Sequence, residues 1–130
     1  MTAVVDATVL TAALVDSGPA GRWAETIVGA EPLIAPELVL VETANVLRRL
    51  ELARDISVLE AAGAHRDLVR LDLELFPYTP FADRVWELRH NLTSYDAWYV
   101  ALAEAFDYPL VTLDRKLSRT AGVKCKFLVP

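Results

Sequence analysis

Thiols are almost missing from this chain: Cys125 is the only cysteine in 130 residues, which excludes a disulfide within the chain and a thiolate metal site. A cytoplasmic setting fits. Histidine is nearly as scarce, and neither His65 in AGAHRDLV nor His90 in ELRHNLTS has the i, i+4 partner of a zinc-binding helix. The five glycines are scattered, and neither GxxxxGK nor GxGxxG occurs, so no glycine-rich cradle for a nucleotide phosphate is present. Long apolar runs are absent too. Stretches such as LVLVETANVL are broken by charge, short of the ~20 residues a membrane span needs. MTAVVDATVL has no basic n-region and carries Asp6 inside its apolar run, which argues against a signal peptide; no membrane partner is expected.

Basic charge is also in deficit, with 13 Lys and Arg against 18 Asp and Glu, a net −5, which at first argues against nucleic acid as a partner. The distribution changes that reading. Residues 115 to 126 hold Arg115, Lys116, Arg119, Lys124 and Lys126 with no acid among them, a segment able to meet phosphates or to form a solvated basic face. What the chain has in abundance is apolar character, 54% of residues. That suits either a dense core or apolar surface covered by another chain. At this length it forms one domain, residues 1–130.

Short apolar segments alternate with helical patterns. Ala3 to Val5, Pro32 to Ala35, Leu73 to Tyr78, Leu110 to Leu113 and Lys126 to Val129 read as strands. Helices are expected over about 8–16, 20–29, from Pro36 to about Ala53, from Asp55 to about Leu71 with a soft interruption at Gly63, over 81–90 and 95–106, and briefly from Asp114 to Ala121. Such alternation predicts an α/β fold, a three-layer α/β/α sandwich around a parallel sheet of about five strands. The working crevice of such a sheet lies beyond the carboxyl ends of its strands, where Asp6 and Asp114 fall.

Four acids stand inside these apolar segments: Asp6 in AVVDATVL, Glu42 in LVLVETANVL, Asp96 in LTSYDAWYVALA and Asp114 in PLVTLDRKL. Helix capping accounts for three of them taken singly. Asp6 and Asp114 each precede a helical pattern, and T93-S-Y-D96 reads as a capping box. Glu42 has no such role, because it falls in the second turn of its helix, on one stripe with Asn45 and Arg49. Brought together bare, the acids would repel by about 4 kcal/mol per close pair at an effective dielectric of ~20. A hard divalent cation with oxygen ligands removes that conflict. Thr8 and Thr112, each two residues from a strand-end acid, carry hydroxyls that can support the carboxylates, or pack as ordinary strand and cap residues.

The order VVDAT, PELVLVETANVLRR, LTSYDAWYVALA and LVTLD resembles the PIN domain, and within it the VapC-type toxins of toxin-antitoxin pairs, over essentially the whole chain. The resemblance implies a Mg²⁺- or Mn²⁺-dependent endoribonuclease that stops translation by hydrolysing RNA with a metal-activated water. It assigns Asp6, Glu42, Asp96 and Asp114 as the catalytic quartet, with Asp6, Asp96 and Asp114 as metal ligands, and gives Thr112 and Asn45 supporting positions beside Thr8. Arg115, Lys116 and Arg119 are the candidates for RNA phosphate contacts. The implied partners are a cognate antitoxin covering the acidic cleft and a second copy in a homodimer. Lys116 occupies a place where some relatives carry another acid, which weakens the case for a second metal. Two other readings share parts of the pattern: a PIN-like module that only binds a partner, and a phosphoaspartate receiver-like domain, which lacks here a second acid next to Asp6.

Overall fold

The computed structural model describes residues 2–30 and 32–130. Five parallel strands form one sheet in the order β3-β2-β1-β4-β5, with β1 at Ala3–Val5, β2 at Leu33–Pro36, β3 at Leu73–Phe76, β4 at Leu110–Val111 and β5 at Phe127–Leu128. Six α-helices connect them: α1 Ala7–Val15, α2 Pro19–Ala30, α3 Leu38–Leu52, α4 Val58–Arg70, α5 Ala82–Glu87 and α6 Ser94–Phe106. The crossovers from β1 to β2 and from β2 to β3 run one way along the sheet, and that from β3 to β4 runs back. With right-handed crossovers, α1 to α4 cover one face, where α1 packs on α2, α3 and α4, while α6 lies on the other against β1, β2 and β4. This is the expected three-layer α/β/α sandwich.

Burial follows from the layers. The three residues of β1 and the four of β2 are all buried, as a central parallel strand covered on both faces requires, and Val9, Leu10, Val100 and Leu102 are completely buried against them. Helix α1 meets α2 at a tight corner. A Cβ on Gly21 would lie 1.7 Å from the Asp16 carbonyl oxygen, so only glycine fits there.

Several boundaries differ from the sequence reading. Pro36 ends β2 instead of opening a helix: it stands opposite Phe76, and pairing with β1 stops at Ile34, so its missing N–H leaves no ladder bond unmade. Helix α4 begins at Val58, after a capping box in which Ser57 and Glu60 satisfy each other's backbone N–H groups, and it runs through Gly63 without a break. Residues 79–81 form a 3₁₀ turn ahead of a short α5. The helix expected from Asp114 to Ala121 is a single 3₁₀ turn at Leu117–Arg119. Asp114 caps it by accepting from the N–H groups of Lys116 (3.0 Å) and Leu117 (3.1 Å).

Candidate active site

The chain reverses its direction of travel across the sheet between β1 and β4, and the crevice at their carboxyl ends is the topological switch point. Asp6 follows β1 directly. Its Oδ1 accepts from the N–H of Thr8 (3.1 Å), the hydroxyl of Thr8 (2.5 Å) and the N–H of Val9 (3.3 Å). It is thus the N-cap of α1, and the same carboxylate stands at the switch point. Burial drives its pKa up to about 6, against the lowering effect of the hydroxyls of Thr112 and Thr8 and of backbone N–H groups.

Both threonines expected near the strand ends are there. Thr8 donates to Asp6 while its oxygen accepts from the N–H of Leu113 (3.1 Å), which ties α1 to the segment after β4. Thr112 is fully buried, and its oxygen accepts from the N–H of Asp114 (2.9 Å).

Glu42 comes from α3 and meets the hydroxyl of Tyr99 at 2.5 Å. Its pKa is raised, mainly by burial and further by Asp96, while the bond from Tyr99 opposes the rise. Asp96, in the first turn of α6, is raised by burial and by Asp114. Thr93 does cap α6, accepting from the N–H of Asp96 (3.2 Å), yet among the described residues no donor is directed at the Asp96 carboxylate. The phenol of Tyr99 is pushed far upward by burial and by Glu42, Asp6 and Asp96. Glu42 and Asp96, and Asp96 and Asp114, are thus coupled pairwise, Tyr99 feels Glu42, Asp6 and Asp96, and Asp114 is exposed.

Tyr99 is the site residue that sequence reasoning passed over. The signal was available: it lies three residues after Asp96 on one helix face. Asn45 is exposed and lines, with Glu42, Thr8 and Arg49, an open groove of about 800 Å³ between α1 and α3. Lys116 borders a smaller hollow that includes Asp96 and Asp114. Arg115 is drawn aside, its guanidinium donating to the Pro130 carbonyl oxygen. Arg119 is exposed on the 3₁₀ turn.

The donor set bears on a metal. All four groups are oxygen donors, and among the described residues none is ion-paired; the ion pairs found are those of Arg84 with Glu87 and Glu104. Buried Asp6 and half-buried Glu42 and Asp96, all unpaired and with raised pKa values, together with exposed Asp114, offer the oxygen donors that suit a hard divalent cation. Among the described residues no three or more His, Cys, Asp or Glu side chains stand close enough to form a ready-made ligand group, so the fit to a cation rests on the chemistry of the donors and not on a preformed cage.

The PIN domain profile matches residues 3–123. The chain belongs to the PIN-domain family. Within it the chain falls among the VapC ribonucleases: it is 40% identical over 126 residues to Ribonuclease VapC9 of Mycobacterium tuberculosis, covering 97% of this chain and 96% of the relative. Among solved structures, Mycobacterium tuberculosis VapC20, described as a Sarcin-Ricin loop cleaving toxin, has the same fold, with a TM-score of 0.70, 18% identity and 100% coverage of both chains. VapBC-5 of Mycobacterium tuberculosis, a member of the VapBC family of toxin-antitoxin systems, matches with a TM-score of 0.55 and 19% identity over 99% of this chain and 98% of that one. Membership in the PIN family sets aside the receiver-like reading. No helix among the described residues is long and apolar enough to cross a membrane.

Proposed function

We propose that the chain is the toxin of a toxin-antitoxin pair, a Mg²⁺- or Mn²⁺-dependent endoribonuclease. The observation that carries this reading is the cluster of unpaired carboxylates around Tyr99 at the switch point, in a chain 40% identical to a named ribonuclease. Asp6, Asp96 and Asp114 would hold the ion. When bound, a hard divalent cation acidifies water and compensates charge on the phosphate oxygens.

The protein's own groups do the positioning. Asp6 is held in one orientation by its cap bonds to α1. Glu42, oriented by Tyr99, takes the proton of the attacking water, and its raised pKa makes it a stronger base than an exposed glutamate. Lys116 and Arg119 offer positive charge to the RNA backbone beside the acids.

The antitoxin reading rests on the groove between α1 and α3, which includes Glu42 and takes apolar surface from Ala7, Ala12, Val15, Val46, Leu50 and Ile56. An extended partner segment lying there would cover Glu42. Exposed Leu52, Val58 and Leu59 on α3 and α4 support covered surface in the assembled protein, including a homodimer.

Cleavage of RNA is to be measured with Mg²⁺ or Mn²⁺, with EDTA, and with Asp6→Asn, Glu42→Gln and Asp96→Asn. Loss in chelator and a drop of at least about 100-fold in each variant is expected for groups of this kind. Activity that survives chelation, or all three substitutions, ends the mechanism; absence of cleavage by the wild-type chain on any RNA favours the partner-binding module.

A further inference from the structure

We propose that the hollow beside β4 is a nucleotide subsite that holds the base adjoining the scissile phosphate and makes cleavage depend on which base it is. This rests on the ribonuclease reading. The hollow measures about 210 Å³ and shares no lining residue with the groove between α1 and α3. Asp96 and Asp114 form part of its wall, so whatever sits in it adjoins the reacting centre.

Its other walls match the chemistry of a nucleotide. Leu92 and Leu117 supply apolar surface, with Leu117 only 4% exposed. Lys116 brings a cation within reach of a neighbouring phosphate. Asn91 donates through Nδ2 to the Ala121 carbonyl oxygen (3.1 Å), which leaves its Oδ1 and its second N–H uncommitted among the described residues. A carboxamide with a free acceptor and donor beside an apolar wall can read the edge of an unstacked base. Thr120 also lines the hollow, and its hydroxyl, which donates to the Lys116 carbonyl oxygen (3.4 Å), keeps its lone pairs as acceptors.

The wall is also held in place. Residues 120–124 have no regular secondary structure, yet Arg84 donates to the Gly122 carbonyl oxygen (2.8 Å) while Glu104 grips its guanidinium (2.7 and 3.2 Å) and accepts from the N–H of Lys124 (2.7 Å). Gly122 turns with a φ of 83°, and a Cβ there would come 3.3 Å from Nδ2 of Asn91. The four acids are held by their own elements and by Tyr99 and the threonines, so their placement does not explain this clamp. A rigid wall is what discrimination between similar bases requires, because a loose one would adapt to each.

The test reads preference rather than rate. Cleavage of an RNA oligonucleotide pool randomised around the cut is sequenced for wild type, Asn91→Ala and Thr120→Val, after melting curves establish that each is folded. At one fixed position relative to the cut, the ranking of the four bases should change by about five- to tenfold, the scale of one hydrogen bond. A uniform change over all four bases, or none, overturns the proposal. In parallel, AMP, GMP, CMP and UMP are titrated against the ¹⁵N-labelled chain. Shifts centred on the Asn91 side-chain amide support the subsite, and shifts elsewhere or none overturn it. If the wild type cleaves no RNA, the ribonuclease reading fails by itself and the titration still decides whether the hollow takes a nucleotide.

Discussion

Asp6 carries two duties that pull its chemistry in opposite directions. As a buried carboxylate it resists ionisation, and as a cap and a prospective ligand it works best ionised. With a folded pKa of about 6 against 3.8 for the ordinary group, the metal-free protein keeps the associated stability below about pH 4 and loses it as pH rises through 6, by on the order of 2–3 kcal/mol. Asn can still accept the cap bonds but does not titrate. In EDTA, Asp6→Asn should therefore have a higher urea midpoint than wild type above pH 6, with the gap closing by about pH 4; parallel pH profiles for the two would sink the argument. Tyr99 supplies a second test at this scale. Its bond lowers the pKa of Glu42, so in Tyr99→Phe the carboxyl rises further and the acid limb of the cleavage profile should move to higher pH. An unmoved limb would show that Glu42 is not the group titrating.

Helices and strands were easier to anticipate than their ends. Each of the five strands was legible as a short apolar run bounded by breakers, and six of the seven helical patterns mapped onto α1 to α6, the one after Asp114 shrinking to a 3₁₀ turn. Ends were decided by contacts that no local pattern contains. Pro36 reads as a helix opener in isolation, and becomes a strand end because β3 pairs alongside it. The Ser57 and Glu60 box is a local signal that went unread; Ser57→Ala should lower stability by about 1 kcal/mol in a denaturant titration. Gly21 gives a sharper prediction. Its Cα lies against the Asp16 backbone, so Gly21→Ala, favourable by helix propensity alone, should destabilise the fold by roughly 1–3 kcal/mol through steric displacement of the corner. A neutral or stabilising result would mean that the corner yields.

At the scale of the molecule, an acidic chain is proposed to bind a polyanion, and local charge has to outweigh the net. RNA affinity should fall with salt, and Lys116→Ala should reduce the slope of log affinity against log salt by about 0.7, the release expected for one phosphate contact on a single strand. Arg115→Ala should change it less, since that guanidinium is turned toward Pro130. Equal slopes for all three proteins, measured by fluorescence anisotropy, would remove the basic turn from the interface.

Sequence alone determined which acids are anomalous, because an ionisable group inside an apolar run is a local contradiction visible without coordinates. It determined the alternation of strand and helix as well, since periodicity belongs to neighbouring residues. Only the tertiary structure decided that Tyr99 orients Glu42, that Thr8 bridges Asp6 to the segment after β4, and that Arg84 and Glu104 fix a loop beside Asn91. Those contacts join residues 20 to 105 positions apart, and their partners are chosen by how the sheet stacks its helices, which no local pattern encodes.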